Sequence, residues 1–336
     1  MKKIFLVIVL LLVSVVLNAN EHDIAVRKML ESSGLSINYE AIESGETVVI
    51  AREDEEKTDS SIALSMVLYV KAPYKEVLQT IKKGEGRLSG YKDAKRIYIK
   101  DIKNPQHYFS NVGFTDGEME EVEKLLDYDG DNTFNLSEDE IKKLKTLIKK
   151  SHKSKREVAS LFYQEILKDR FEAYLKNGID GIAAYEHCSK DDTVEDGFKK
   201  SSFGMRVFRK KFPQMYKDYM NYPKSRVKDI KERFFIIKDK IDGRVAFILK
   251  HQMLKKRENL ILIAERQFYI SNTLDAIQTQ ILCTPYKNGT LVTLSSQSYT
   301  DKVAGFGRSV AIKIGRHMME KQIRPMFDDL ENRFNK

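Results

Sequence analysis

The twelve residues from Asp127 to Glu138 gather oxygen-bearing side chains at a spacing that could do chemistry. Asp127, Asp129 and Asp131 place carboxylates at alternate positions, and Thr133, Asn135 and Glu138 follow. Calcium takes several hard oxygen ligands. Three carboxylates this close would repel one another without a cation, so ion binding and ordering of the loop would be coupled. The same residues also have a metal-free use. Asp129-Gly130 can form a turn, and Ser137-Glu138-Asp139-Glu140 can form a capping box that starts a helix at Ile141. A second candidate is Arg266, which alternates with Leu262, Ala264, Phe268 and Ile270 on what should be the inward face of a strand. A buried arginine needs a partner: either the head group of a ligand in a cavity, or an acidic neighbour in a structural ion pair. The six histidines show no metal-ligand spacing, and no Ser, His and acid pattern points to a hydrolase. Cys188 and Cys283 are far apart in sequence. An oxidising compartment would permit them to pair, and two separate buried thiols are the alternative.

The segment 127–138 resembles a complete EF-hand calcium loop. The resemblance implies carboxylate ligands from Asp127, Asp129 and Asp131, the backbone carbonyl of Thr133, a direct or water-mediated contact from Asn135, and two oxygens from Glu138, with Phe134 at the apolar position. Asn132 stands where the family usually has glycine, and asparagine tolerates left-handed geometry better than most residues. The apolar residues of the exit helix, Ile141, Leu144 and Ile148, are displaced from the family's positions, and Glu123 sits where an apolar residue is expected. No second loop of this kind is present in the sequence, although EF-hands normally work in pairs.

The elements that must position these residues fall into three groups. Residues 46–53 and 60–71 read as a hairpin, Pro73 starts a helix to about Lys83, and a short strand lies near 96–102. From Phe114 to Tyr219 the apolar residues recur at helical spacing; Val158, Leu161, Phe162, Ile166, Phe171 and Tyr174 mark one amphipathic helix, ended by Asn177-Gly178. Strands are then predicted at 234–240, 245–254, 260–270, 276–284 and 291–299, with Asn288-Gly289 as a hairpin turn. A final helix opens at Gly305-Phe306-Gly307 and runs to Phe334, with a break expected near Pro325.

The expected fold is α+β: an antiparallel sheet with a long C-terminal helix and a large all-helical insertion. This order resembles the helix-grip fold of START-like lipid-binding domains over 46–102 and 233–334. Leu68-Tyr69-Val70-Lys71-Ala72-Pro73, with Val77 and Ile81, is similar to that fold's first strand and helix. The tail, with Arg266-Gln267-Phe268-Tyr269, Asp301 to Gly307 and Ile314-Gly315-Arg316, also resembles a family of exported proteobacterial proteins of no assigned activity. The expected divisions are 1–19, 20–112, the helical insertion 113–222, and the meander with its helix, 223–336.

Lys2 and Lys3, the apolar run from Ile4 to Leu17 and the small exit residue Ala19 read as a cleavable secretory signal; an uncleaved anchor is the alternative. The expected location is therefore periplasmic or secreted, which excludes nucleic acid as a natural partner. The formal charge is +9 and falls by two once Lys2 and Lys3 are removed. That excess favours an anionic membrane surface, although the runs 142–156 and 199–211 read as solvated helix faces. The expected function is non-enzymatic binding of a lipid or other apolar ligand, with calcium as the expected cofactor. An enzyme of the START-like superfamily and a periplasmic adaptor are the competing classes.

Overall fold

The computed structural model describes residues 21–56, 58–83, 94–188, 193–202, 205–224, 229–257, 259–272, 274–300, 303 and 307–335. The expected signal at 1–19 lies outside the described residues, as does most of the 301–307 motif. Among the described residues, eight strands form one antiparallel sheet: β1 (Val48–Ala51), β2 (Ser61–Val70), β3 (Lys95–Ile99), β4 (Ile230–Ile241), β5 (Arg244–Arg257), β6 (Leu260–Ile270), β7 (Ala276–Tyr286) and β8 (Gly289–Tyr299). Their spatial order is β1-β2-β8-β7-β6-β5-β4-β3. The meander β4 to β8 is thus continuous, and β2 closes against its last strand, with Ser61 opposite Tyr299. The fold class is α+β, as expected.

The helices are α1 (residues 21–31), α2 (Tyr39–Ser44), α3 (Tyr74–Lys83), α4 (Gln106–Phe109), α5 (Met119–Leu126), α6 (Glu138–Lys150), α7 (Lys155–Asn177), α8 (Val194–Ser202), α9 (Arg206–Lys211), α10 (Pro213–Met220) and α11 (Arg308–Phe334). Helix α7 has a Ser154/Glu157 capping box and ends at Gly178, whose φ of 66° is tolerated there because glycine has no Cβ. The residues expected to form an all-helical insertion are a layer on one face of the sheet. Phe114, Phe162, Tyr163, Phe171 and Tyr174 share one apolar cluster with Phe234, Phe247, Leu262 and Phe268 of the strands.

The opposite face carries α3 and α11. Ile62, Leu64, Met66 and Leu68 of β2 pack with Ile312, Met319, Ile323 and Phe327. Gly315 lies directly over Ile62, where a Cβ would come within 2.3 Å of Ile62 Cδ1. With both faces covered, every residue of β2 and β8 is buried, so neither strand shows the apolar-polar alternation of a half-solvated sheet. Helix α11 runs unbroken through Pro325, contrary to the expected break. Ile323 before the proline and Met326, Phe327 and Leu330 after it all enter the same cluster. Their burial, worth roughly 1.5–3 kcal/mol per side chain, outweighs the lost hydrogen bond. Cys283 lies in the α11 cluster and Cys188 packs against the helical one, so the sheet lies between them and no disulfide joins them.

Candidate functional site

The expected calcium residues are held as a structural junction. Helix α6 begins with the capping box: the Ser137 side chain accepts from the Glu140 amide, and Glu140 Oε2 accepts from the Ser137 amide at 2.8 Å. Glu140 also takes Arg170 of α7 in a two-pronged pair, at 2.7 Å from Nε and 2.6 Å from Nη2. Asn135 is buried and its amide donates to the carbonyls of Ile270 and Leu274, both at 2.8 Å, while its backbone amide donates to Ser271. The loop is therefore fastened to the β6–β7 turn. Asp131 accepts from the Thr133 amide at 2.7 Å. The Tyr128 hydroxyl donates to the carbonyls of Asp131 and Phe134. The Glu138 side chain is 77% exposed, with Lys142 3.9 Å away. Among the described residues no three His, Cys, Asp or Glu side chains stand close enough to share a cation. Ser137 and Glu140 thus cap α6, Asp131 and Asn135 tie down the loop, and Glu138 points to solvent.

Arg266 is fully buried, but on the helical face, away from α11. Its Nη1 donates to the Tyr174 hydroxyl at 3.1 Å and its Nη2 to the Tyr219 carbonyl at 3.0 Å, with the guanidinium 4.1 Å from the centre of the Tyr219 ring. Among the described residues its partners are a phenol, a carbonyl and an aromatic face, no acidic side chain pairs with it, and its Nε is buried without a hydrogen-bond partner. Tyr174 in turn bonds His251 Nδ1 at 2.9 Å and stacks on Phe268 with ring centres 3.9 Å apart. Register explains the neighbouring departure. Leu249 pairs with Tyr269 and Lys250 with Gln267, so Phe268 is bulged. The bulge sends both Phe268 and Tyr269 to the helical side and turns Ile270, expected beside Arg266, to the other face.

The polar residues that do face α11 are different ones. Ile261 and Ile263 of β6 belong to the α11 cluster, so Glu265 and Gln267 share that face. Lys250 and Gln252 lie opposite them on β5. Lys250 Nζ is 3.2 Å from Glu265 Oε1, which also accepts from Gln252 Nε2 at 2.7 Å. All three side chains are buried. Burial pulls the Lys250 ammonium below its ordinary pKa, the nearby Arg96 adds to the fall, and Glu265 opposes it. Lys250 also sits 5.3 Å from the centre of the Phe235 ring. Thr279 and Ser296, 3.1 Å apart, extend the polar row across β7 and β8. Among the described residues Glu265 Oε2 and Ser298 Oγ are two of several buried side-chain polar atoms without a hydrogen-bond partner.

This row divides the face. On one side is the α3/α11 cluster; on the other is a separate cluster of Phe235, Ile237, Ala246, Ile248, Ile270 and Ile277. The sequence signal was the pair of alternating polar residues, Lys250/Gln252 and Glu265/Gln267, inside otherwise apolar strands. It becomes visible only once both faces of those strands are known to be buried.

Fold and site together define an α+β protein with one antiparallel sheet whose inner strands are buried on both faces and a buried charged pair at its centre. No family model matches the chain, and no curated protein or solved structure is significantly similar to it. Among the described residues no helix is long and apolar enough to cross a membrane.

Proposed function

We propose that the α11-facing side of the sheet binds an amphipathic ligand without transforming it. The apolar body would lie along the two clusters, and the head, bearing a hydroxyl or amine, would donate to Glu265 Oε2 and sit beside Lys250. One observation carries this reading: a buried charged row, with an unsatisfied carboxylate oxygen, separates two apolar clusters on one face. Ligand sites are mostly apolar, with a few placed polar groups. An unpaired buried polar atom costs about 1–3 kcal/mol, which a donor on a bound head group would recover. The helix-grip likeness of the strand order and C-terminal helix supports the same face, and the export expected from residues 1–19 puts the ligand outside the cytoplasm. Calcium has no part in this reading.

Native mass spectrometry of protein purified from its own host is the test. The wild type should carry a small apolar molecule, and Glu265→Gln together with Lys250→Met should release it while the protein stays folded. Wild-type protein free of any such molecule, or variants that retain it, would refute the proposal.

A further inference from the structure

Val310 and Ile314 are the most exposed large apolar side chains among the described residues, at 60% and 56%. They lie one turn apart on the outer face of α11, in the half of the helix nearest its start. Lys313, His317 and Lys321 share that exposed stripe, and none of the three makes an ion pair among the described residues. The other cations of this half are already engaged: Arg308 with Asp59, and Arg316 with Glu53 and Glu56. Those pairs fasten the inner flank of α11 to residues 53–59 and leave the stripe facing outward. The exposed acids of the helix, Asp328 and Asp329, come only after Lys321, on the C-terminal half.

We infer that this stripe docks on an anionic lipid bilayer, Val310 and Ile314 entering the acyl boundary while Lys313 and Lys321 meet phosphate head groups. Two apolar side chains flanked by unpaired lysines have the composition of an interfacial helix face. Charge complementarity selects the occupant. A second copy of the chain would bring Lys313 and Lys321 against like charges, whereas an anionic leaflet attracts each of them. The inference is independent of the ligand reading, since it uses the outward side of α11 alone.

Vesicle flotation tests it, comparing phosphatidylglycerol mixed into phosphatidylcholine with phosphatidylcholine alone. The wild-type protein should bind the anionic vesicles, and binding should weaken as salt rises. Val310→Asp with Ile314→Asp should lower the partition coefficient at least about tenfold. Lys313→Glu and Lys321→Glu should each lower it by about fivefold or more. Lys145→Glu with Lys149→Glu, on the exposed face of α6, should leave it unchanged, and circular dichroism should show all variants folded. The inference is overturned by equal binding to both vesicle types, by absence of binding, by stripe variants that bind like the wild type, or by equal loss in the α6 control. A concentration-dependent dimer that Val310→Asp abolishes would overturn it too, by assigning the stripe to a second copy.

Discussion

Glu140→Gln should be among the more damaging single substitutions in the helical layer, although Glu140 belongs to no expected ligand set. Its two oxygens accept from Arg170 at 2.7 and 2.6 Å, and one of them also caps the Ser137 amide at 2.8 Å. The Arg170 side chain is only 5% exposed and lies over the Tyr269 ring at 4.3 Å. Glutamine keeps the cap, because its amide oxygen still reaches the Ser137 amide. It removes the charge and leaves a buried guanidinium uncompensated, a loss of about 3–5 kcal/mol where one partner of a buried pair is removed. Glu138→Gln, at a side chain 77% exposed, should change stability by no more than about 0.5 kcal/mol. Urea unfolding followed by circular dichroism, run with a chelator and again with calcium near 1 mM, a concentration at which extracellular-type sites fill, separates two readings. A capped junction gives the same large gap between the two variants in both conditions. Calcium raising the wild-type midpoint, with Glu138→Gln abolishing that rise, would refute the metal-free reading of the loop.

A pH dependence arises at the edge of the sheet, where Glu55 is buried with Arg52 and Gln297 against it and Asp54 and Arg206 alongside. Burial pushes its carboxyl up from 4.5 to about 7, against the pull of Arg52 and Gln297. Between those values the folded protein keeps a proton that the unfolded chain has lost. Stability should therefore fall by up to about 3 kcal/mol as pH rises through this window. Unfolding titrations at several pH values should show that fall in the wild type relative to Glu55→Gln, and a constant difference would contradict it. Arg266→Met should lower stability by about 1–3 kcal/mol, by leaving the Tyr219 carbonyl unpaired, without altering the bound molecule seen by native mass spectrometry. Ligand loss in that variant would move the site to the helical face.

The strand and helix positions were largely legible because periodicity is local. The short runs of strand-forming residues bounded by turn signals in the meander and the 3.6-residue spacing of Val158 to Tyr174 each require only a dozen or so neighbouring residues to be recognised. The unbroken α11 was not legible. Whether Pro325 ends a helix depends on Met326, Phe327 and Leu330 finding a surface to cover, and that surface is made by β2, more than two hundred positions earlier. In the acidic loop the Ser137–Glu140 capping box was legible, because it is local. What sequence spacing could not supply was where Asn135 and Glu140 would find their partners, on the β6–β7 turn and on α7.

Arg266 shows why the candidate site itself stayed hidden. Alternation tells which residues share a face, and a half-solvated sheet has only one face that can be called inward. Here both faces are inward, so the row Leu262, Ala264, Arg266 and the row Ile261, Ile263, Glu265 are equally buried, and no local pattern says which one meets α11. Phe268 then shifts the phase, sending Ile270 across the sheet from the row to which strict alternation would assign it. The two charged residues of β6 serve opposite layers for the same reason. Arg266 gives Nη1 and Nη2 to Tyr174 and Tyr219 of the helical layer, and its Nε is buried without a partner on that same face. Glu265, one residue earlier and on the other side, keeps an oxygen with no donor among the described residues. Of these two unpartnered atoms only the Glu265 oxygen lies on the α11 side of the sheet, which is why the proposed ligand is assigned to that face.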